Sequence, residues 1–162
     1  MGGTAQIISK VENKDELIKL LNCAFAEEWL AYYQYWVGAK VARGLERPKI
    51  VEEFIEHATE ELKHADWLAD RIIQLGATPI LDPDEWKINA SCKYDAPVNG
   101  DTKILVSQNL NAEKCAIARY QQICEICQGK DIETFNISRK ILKEEIEHEQ
   151  EMEDFQEDFK YY

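Results

Sequence analysis

Two short stretches of the chain, Glu61-Leu62-Lys63-His64 and Glu145-Ile146-Glu147-His148, repeat one spacing of a carboxylate and an imidazole. Residues three apart on a helix lie about 5–6 Å from each other on nearly the same face, so each stretch offers one oxygen and one nitrogen to a common metal ion. A single Glu-x-x-His carries little information, because Glu is common on helices and His is often only a surface or satisfied core residue. The pair gains meaning from two further carboxylates, Glu28 and Glu113, each standing alone in an apolar stripe. Oxygen-rich ligation with one imidazole per ion suits iron or manganese better than a closed structural zinc site.

Four helices have to position these six residues. Asn13 is a cap candidate with Glu16 three residues on, which together predict a capping box and a first helix running to about Gly44. Pro48 suits the first turn of a second helix, and Gly76 supplies its stop. A third helix is expected from Asp101 to Gly129 and a fourth from Asp131 almost to the end. The links Gly44 to Arg47 and Gly129 to Lys130 are short and predict antiparallel neighbours. Residues 77–100 hold three of the four prolines and no long periodic pattern, so they read as a long crossover between helices two and three, with a short helix over Asp84 to Ala90.

Steps of three and four residues pick out the seam that each helix turns inward. Helix one gives Leu17, Leu21, Ala24, Glu28, Ala31, Tyr35, and helix two Val51, Phe54, Ala58, Glu61, Ala65, Leu68, Ile72. Helix three gives Val106, Leu110, Glu113, Ile117, Tyr120, Cys124, Cys127, and helix four Ser138, Ile141, Glu145, His148, Met152, Phe155. Every seam is interrupted by Glu. Four ionised carboxylates in one small core would be strongly destabilising without compensation. No Arg or Lys lies on the seams, whereas two divalent ions bring four positive charges. Glu27, Glu60 and Glu144 compete as ligands but fit the apolar series less well, which predicts exposed helix surface for them. His57, one turn before Glu61, reads as a partly exposed structural histidine, with an ion path as the other reading.

At 162 residues with 45% hydrophobic residues the chain can bury one good core, so a single domain over residues 1–162 is expected. Seven Gly and four Pro are few for a fold of many short strands, and the composition favours an all-α chain. A net charge of −12 argues against a direct grip on nucleic acid, and Met1 to Lys10 contains a single basic residue. No apolar run is long enough to cross a bilayer and Met1 to Lys10 does not read as an export signal, so the cytoplasm is the expected location. Five cysteines then read as thiols, metal-adjacent groups or a redox pair rather than a disulfide framework. Cys124 and Cys127 lie on the apolar stripe and read as small core residues; Cys23 has no evident partner.

One Glu from each of two helices plus Glu-x-x-His from each of the other two is the ligand set of di-iron and di-manganese carboxylate bundles, and a single long crossover is the topology of ferritin-like bundles. The chain resembles bacterioferritin at Leu21-Asn22, Glu28, Ala31, Gln34-Tyr35, at Glu61-Leu62-Lys63-His64-Ala65-Asp66 and at Glu145-Ile146-Glu147-His148. That resemblance implies a ferritin-like four-helix bundle in which Glu61 and Glu145 bridge two irons, Glu28 and Glu113 are terminal ligands, His64 and His148 give one nitrogen each, and Tyr35 lies near the centre. Where bacterioferritin has its haem-ligating Met this chain has Leu62 and Lys63, so no haem is expected. Only 14 residues follow His148, which is short for the extra C-terminal helix of 24-subunit shells and favours a smaller cage.

A nearer resemblance is to Dps-like proteins called thioferritins, which join a bacterioferritin-type site to a twelve-subunit cage. Cys92 and Cys115 stand where that resemblance puts a redox pair beside the iron; spacing alone does not bring them together. The resemblance implies a ferroxidase and iron-storage protein that consumes hydrogen peroxide, or dioxygen, and protects against oxidative stress. Two other readings stay open: a rubrerythrin-like di-iron peroxidase without mineral, and a helical protein whose metal is only structural.

Overall fold

The structure, a computed structural model, describes residues 3–161. Four long helices form the bundle: α2 (Lys14–Val41), α3 (Arg47–Gln74), α5 (Thr102–Cys127) and α6 (Ile132–Asp158). A short N-terminal helix, α1 (Gly3–Ile8), precedes them and was not legible in the sequence. The crossover carries a 3-10 turn (Pro83–Glu85) leading into α4 (Trp86–Asn89), and a second 3-10 turn (Phe159–Tyr161) follows α6. Among the described residues there is no strand beyond an isolated bridge between Arg43 and Asp101.

The helix starts are set by side chains that satisfy otherwise orphaned N–H groups. Asn13 Oδ1 accepts from the Glu16 N–H at 3.1 Å. The capping box is not the expected one, however: Glu16 Oε2 accepts from the Asn13 side-chain amide at 3.0 Å instead of from its backbone. Asp101 accepts from Lys103 N–H and Asp131 from Thr134 N–H, so side-chain caps form at both expected helix starts. The ends come slightly earlier than expected. α2 stops at Val41 and α5 at Cys127, each capped by a following residue, so Gly44 and Gly129 serve the turns with φ of +131° and +70°.

α2 pairs with α3 and α5 with α6 as two hairpins, and the crossover of residues 77–100 joins them. It is tied down at its far end, where the Arg43 N–H donates to Gly100 O at 2.6 Å. A Cβ on Gly100 would stand 2.1 Å from the Val41 carbonyl oxygen, so this approach requires glycine. Midway, Trp86 stacks on Trp29 of α2 with ring centroids 5.1 Å apart.

The apolar core is in two parts. One contains Leu17, Leu21, Leu68, Ile72, Ile123 and Ile141, the other Ala39, Ile50, Phe54, Leu105, Val106 and Met152. Buried Glu28, Glu61, Glu113 and Glu145 lie between them in sequence on every helix. The seams do have one nearby buried cation that the sequence reading missed. Arg71 is 1% exposed, but it is already paired: its Nη2 donates to both Asp131 oxygens at 2.9 and 3.0 Å and its Nε to Thr134 Oγ1 at 2.8 Å. It fastens α3 to the start of α6 and makes no contact with the four glutamates.

Candidate metal centre

The structure brings all six sequence-selected residues together. Glu28 comes from α2, Glu61 and His64 from α3, Glu113 from α5, and Glu145 and His148 from α6, and each is at most 3% exposed. They fall into two groups of four whose ligand atoms lie within 4.8 Å of one another: Glu28, Glu61, His64, Glu145 and Glu61, Glu113, Glu145, His148. Glu61 and Glu145 belong to both. His64 Nδ1 lies 3.0 Å from Glu61 Oε2, 3.0 Å from Glu145 Oε1 and 3.4 Å from Glu28 Oε2. His148 Nδ1 lies 3.3 Å from Glu61 Oε1, 3.6 Å from Glu145 Oε2 and 3.9 Å from Glu113 Oε2. Both imidazoles thus aim Nδ1 inward.

Their other nitrogens point outward to acids. His64 Nε2 meets Glu144 Oε2 at 2.7 Å and His148 Nε2 meets Glu60 Oε2 at 2.7 Å, each across the α3–α6 contact. A carboxylate oxygen there accepts from the Nε2–H and turns Nδ1 toward the centre. Glu60 and Glu144 are therefore not the exposed helix surface expected of them; they are half-buried partners of the two histidines. Glu27 also departs from expectation. It is buried and accepts from the backbone N–H groups of Ser91 and Cys92 at 2.8 and 2.9 Å and from Arg119 at 3.1 Å, pinning the crossover to the bundle. Cys23 proves to have neighbours too, Glu27 Oε1 at 3.3 Å and Ser91 Oγ at 3.6 Å. His57 is 1% exposed rather than partly exposed, because α6 covers it.

Two phenols complete the arrangement. The Tyr35 hydroxyl donates to Glu113 Oε1 and the Tyr120 hydroxyl to Glu28 Oε1, each crossing between α2 and α5. Sequence reading placed Tyr35 near the centre but took Tyr120 only as seam. The signal was present: Tyr120 follows Glu113 by seven residues, as Tyr35 follows Glu28, so each phenol sits two turns along from one glutamate and opposite the other.

Electrostatics divide the carboxylates. Burial, followed by the charge of Glu145, holds Glu28 and Glu113 well above the usual carboxylate range. Burial is also the largest influence on Glu61 and Glu145, but the hydrogen bonds from His148 and His64 outweigh it and hold both below that range. Burial disfavours charge on the two imidazoles, yet the surrounding carboxylates, Glu145 first, hold both far above the ordinary histidine value. Burial and neighbouring carboxylates raise Tyr35 and Tyr120, keeping them as donating phenols. Three buried atoms that face inward, Glu61 Oε1, Glu145 Oε1 and His148 Nδ1, make no well-aligned hydrogen bond and have imidazole–carboxylate approaches of 3.0 to 3.6 Å beside them. Poorly paired buried polar atoms are costly, and a divalent cation is the partner this donor set fits.

A narrow cavity of about 30 Å³, room for water-sized species, is lined both by Glu28, Glu61, Glu113 and Glu145 and by Cys92 to Tyr94 of the crossover. Cys92 and Cys115 are joined as a disulfide, with Cα atoms 5.7 Å apart. Cys115 reaches Cys92 because the crossover lies over α5, a tertiary fact that helical spacing does not contain. Cys124 and Cys127 are buried and unbonded to each other, as small core residues. No described helix is long and apolar enough to cross a membrane.

Residues 18–161 match the family model of the ferritin-like domain. A DNA protection during starvation protein of Pyrococcus furiosus is 36% identical over 137 residues, 83% of this chain and 74% of its own length. A bacterial ferritin of Pseudomonas aeruginosa is 29% identical over 136 residues, 84% of this chain and 80% of its own. A solved dodecameric thioferritin, the bacterioferritin-related protein from Bacteroides fragilis, superposes with a TM-score of 0.96 at 46% identity, covering 99% of this chain and 96% of that one. By its helices, its topology and these matches, the chain is a member of the ferritin-like domain family.

Proposed function

We propose that the chain is a ferroxidase and iron-storage protein that oxidises Fe(II) at Glu28, Glu61, His64, Glu113, Glu145 and His148, with hydrogen peroxide as the favoured oxidant, and assembles into a twelve-subunit cage. The observation that carries this reading is the pair of four-ligand groups sharing Glu61 and Glu145. Two Fe(II) ions held side by side give one electron each, and peroxide accepts both as its O–O bond breaks to two oxygens at the level of water, so no one-electron radical is released. The residues supply the rest. Glu28 and Glu113 hold the outer side of each ion position, oriented by Tyr120 and Tyr35. Glu60 and Glu144 hold the imidazoles with Nδ1 inward. The narrow cavity admits a small oxidant and excludes larger reductants.

The cage is supported by the likeness to a dodecameric protein. The Cys92–Cys115 disulfide, whose Cys92 lines the cavity with the carboxylates, supports a redox role in which its two thiols would hold two electrons when reduced. Anaerobic loading with Fe(II), followed by peroxide while ferric absorbance and particle size are recorded, tests the reading. Soluble ferric iron in large excess over two per chain supports storage. Sustained peroxide turnover at two irons per chain would replace it with a peroxidase, and no oxidation would overturn it.

A further inference from the structure

His57 is the third histidine of the bundle and is not one of the six residues of the centre, although it borders Glu113 and His148. Its ring is held between Tyr35, edge-on at 5.0 Å, and His148, stacked at 3.9 Å between centroids. Its Nε2 points away from that stack toward two acids on different helices, Glu151 Oε2 of α6 at 2.7 Å and Glu53 Oε1 of α3 at 3.5 Å. Its Nδ1 is buried with no hydrogen-bond partner, and His57 also forms a three-residue group with Glu113 and His148 whose ligand atoms lie within 4.8 Å of one another. His64 and His148 each meet one outward acid at Nε2 and turn Nδ1 inward; His57 turns Nε2 to a converging pair.

We propose that Glu53, His57 and Glu151 form a further divalent-cation site, holding one hydrated, exchangeable ion of the Fe(II), Mn(II) or Co(II) kind. One ligand atom from each of the three lies within 4.8 Å of the others, close enough to share an ion. Two carboxylate oxygens and one imidazole match the preference of these borderline ions. The protein fills only part of an octahedral shell. The Glu53 and Glu151 side chains are 24% and 46% exposed, so water completes the shell and the ion can leave. Glu53 and His57 are one turn apart on α3, and Glu151 follows His148 by three residues on α6, so the site extends the α3–α6 ligand ladder by one turn toward solvent. An ion there would be one imidazole ring away from His148. The inference rests on the reading of the six-ligand centre as an iron site for the identity of the ion, but not for the existence of the site.

The test is anaerobic titration of the metal-free full chain with Co(II) at high salt, following d–d absorption and bound metal per chain. The wild type is expected to bind three equivalents. Glu53→Gln/Glu151→Gln, which keeps His57 and alters only partly exposed groups, is expected to bind two, and Glu61→Ala/Glu145→Ala to keep one. Equal binding by the wild type and Glu53→Gln/Glu151→Gln would overturn the proposal while leaving the six-ligand centre intact. One equivalent in the wild type, lost in Glu53→Gln/Glu151→Gln, would sustain the proposal and overturn the six-ligand centre.

Discussion

Replacing Glu144 or Glu60 by Ala removes the acceptor 2.7 Å from the outward nitrogen of His64 or His148. Neither acid is among the six inward-facing residues, so any loss of iron affinity has to pass through the imidazole. Without the carboxylate the ring proton is no longer fixed on Nε2, and the tautomer that presents a lone pair at Nδ1 loses its advantage. Losing such an outer partner typically costs 10–100-fold in metal affinity. The Glu144 and Glu60 side chains are 23% and 29% exposed, so water replaces part of the contact. That places the expected loss near the lower end, about 10- to 30-fold, or about 1.4–2 kcal/mol.

The partial exposure also protects the fold, and urea unfolding of the metal-free variants should shift by no more than about 0.5 kcal/mol. Anaerobic Fe(II) calorimetry reads the affinity. Glu147→Ala is the control, an exposed acid on the same helix paired with Lys143 at 2.8 Å. Glu144→Gln separates charge from geometry: its amide oxygen still accepts from Nε2, so it should lose less than Glu144→Ala. The reasoning is refuted if Glu144→Ala binds as tightly as Glu147→Ala, or if Gln is as damaging as Ala.

Tyr35→Phe and Tyr120→Phe remove equivalent hydrogen bonds to a carboxylate, each worth about 1.5–3 kcal/mol. Stopped-flow ferric absorbance should show comparable slowing in both, by at least about tenfold, and an effect confined to Tyr35→Phe would break the equivalence of the two phenols. Loading two divalent ions at neutral pH should release close to four protons per chain, two from the raised His64 and His148 and two from the raised Glu28 and Glu113, read with a pH indicator in weak buffer. Asp131 gives an acid limit. Burial alone would raise it, but the Thr134 N–H, the Ser9 and Thr134 hydroxyls and Arg71 hold it below the usual Asp range. Its stabilisation is thus present above about pH 3.9, the unfolded value, and is lost as pH falls through the lower folded value. Asp131→Asn should flatten the acid limb of a pH–stability curve, and Asp131→Ala should cost about 3–5 kcal/mol by leaving Arg71 buried and unpaired.

The six inward residues were legible because a helix converts linear spacing into a face, and a carboxylate in an apolar stripe is conspicuous in one dimension. Residue type alone marked Asn13 and Asp131 at helix starts, because a short polar side chain before a periodic run can accept from the first free N–H groups. Contacts between elements were less legible. Glu60 and Glu144 sit one residue off the seam, which on an isolated helix means solvent; only the neighbouring helix puts a histidine nitrogen over them. Glu27 is adjacent to Glu28 for the same reason and is buried because the crossover descends on it. Arg71 was overlooked because its long side chain reaches Asp131 from beside the stripe rather than on it. Cys92 and Cys115 meet through the path of the crossover, which no periodicity encodes.

Two divalent ions are not the only charges that can balance four buried glutamates. The structure offers a second neutral state. With His64 and His148 protonated, Glu61 and Glu145 ionised, and Glu28 and Glu113 protonated, two positive charges face two negative ones and the centre is neutral without any ion. When two divalent ions enter and four protons leave, four negative charges face four positive ones and it is neutral again. The bundle can therefore close around a protonated centre and exchange protons for metal afterwards, so folding need not wait for metal. Glu61 Oε1 and Glu145 Oε1 keep only poorly aligned imidazole contacts, from His148 Nδ1 at 3.3 Å and His64 Nδ1 at 3.0 Å. Both belong to the two shared carboxylates, so the unpaid part of the metal-free state is concentrated where a pair of ions would be bridged.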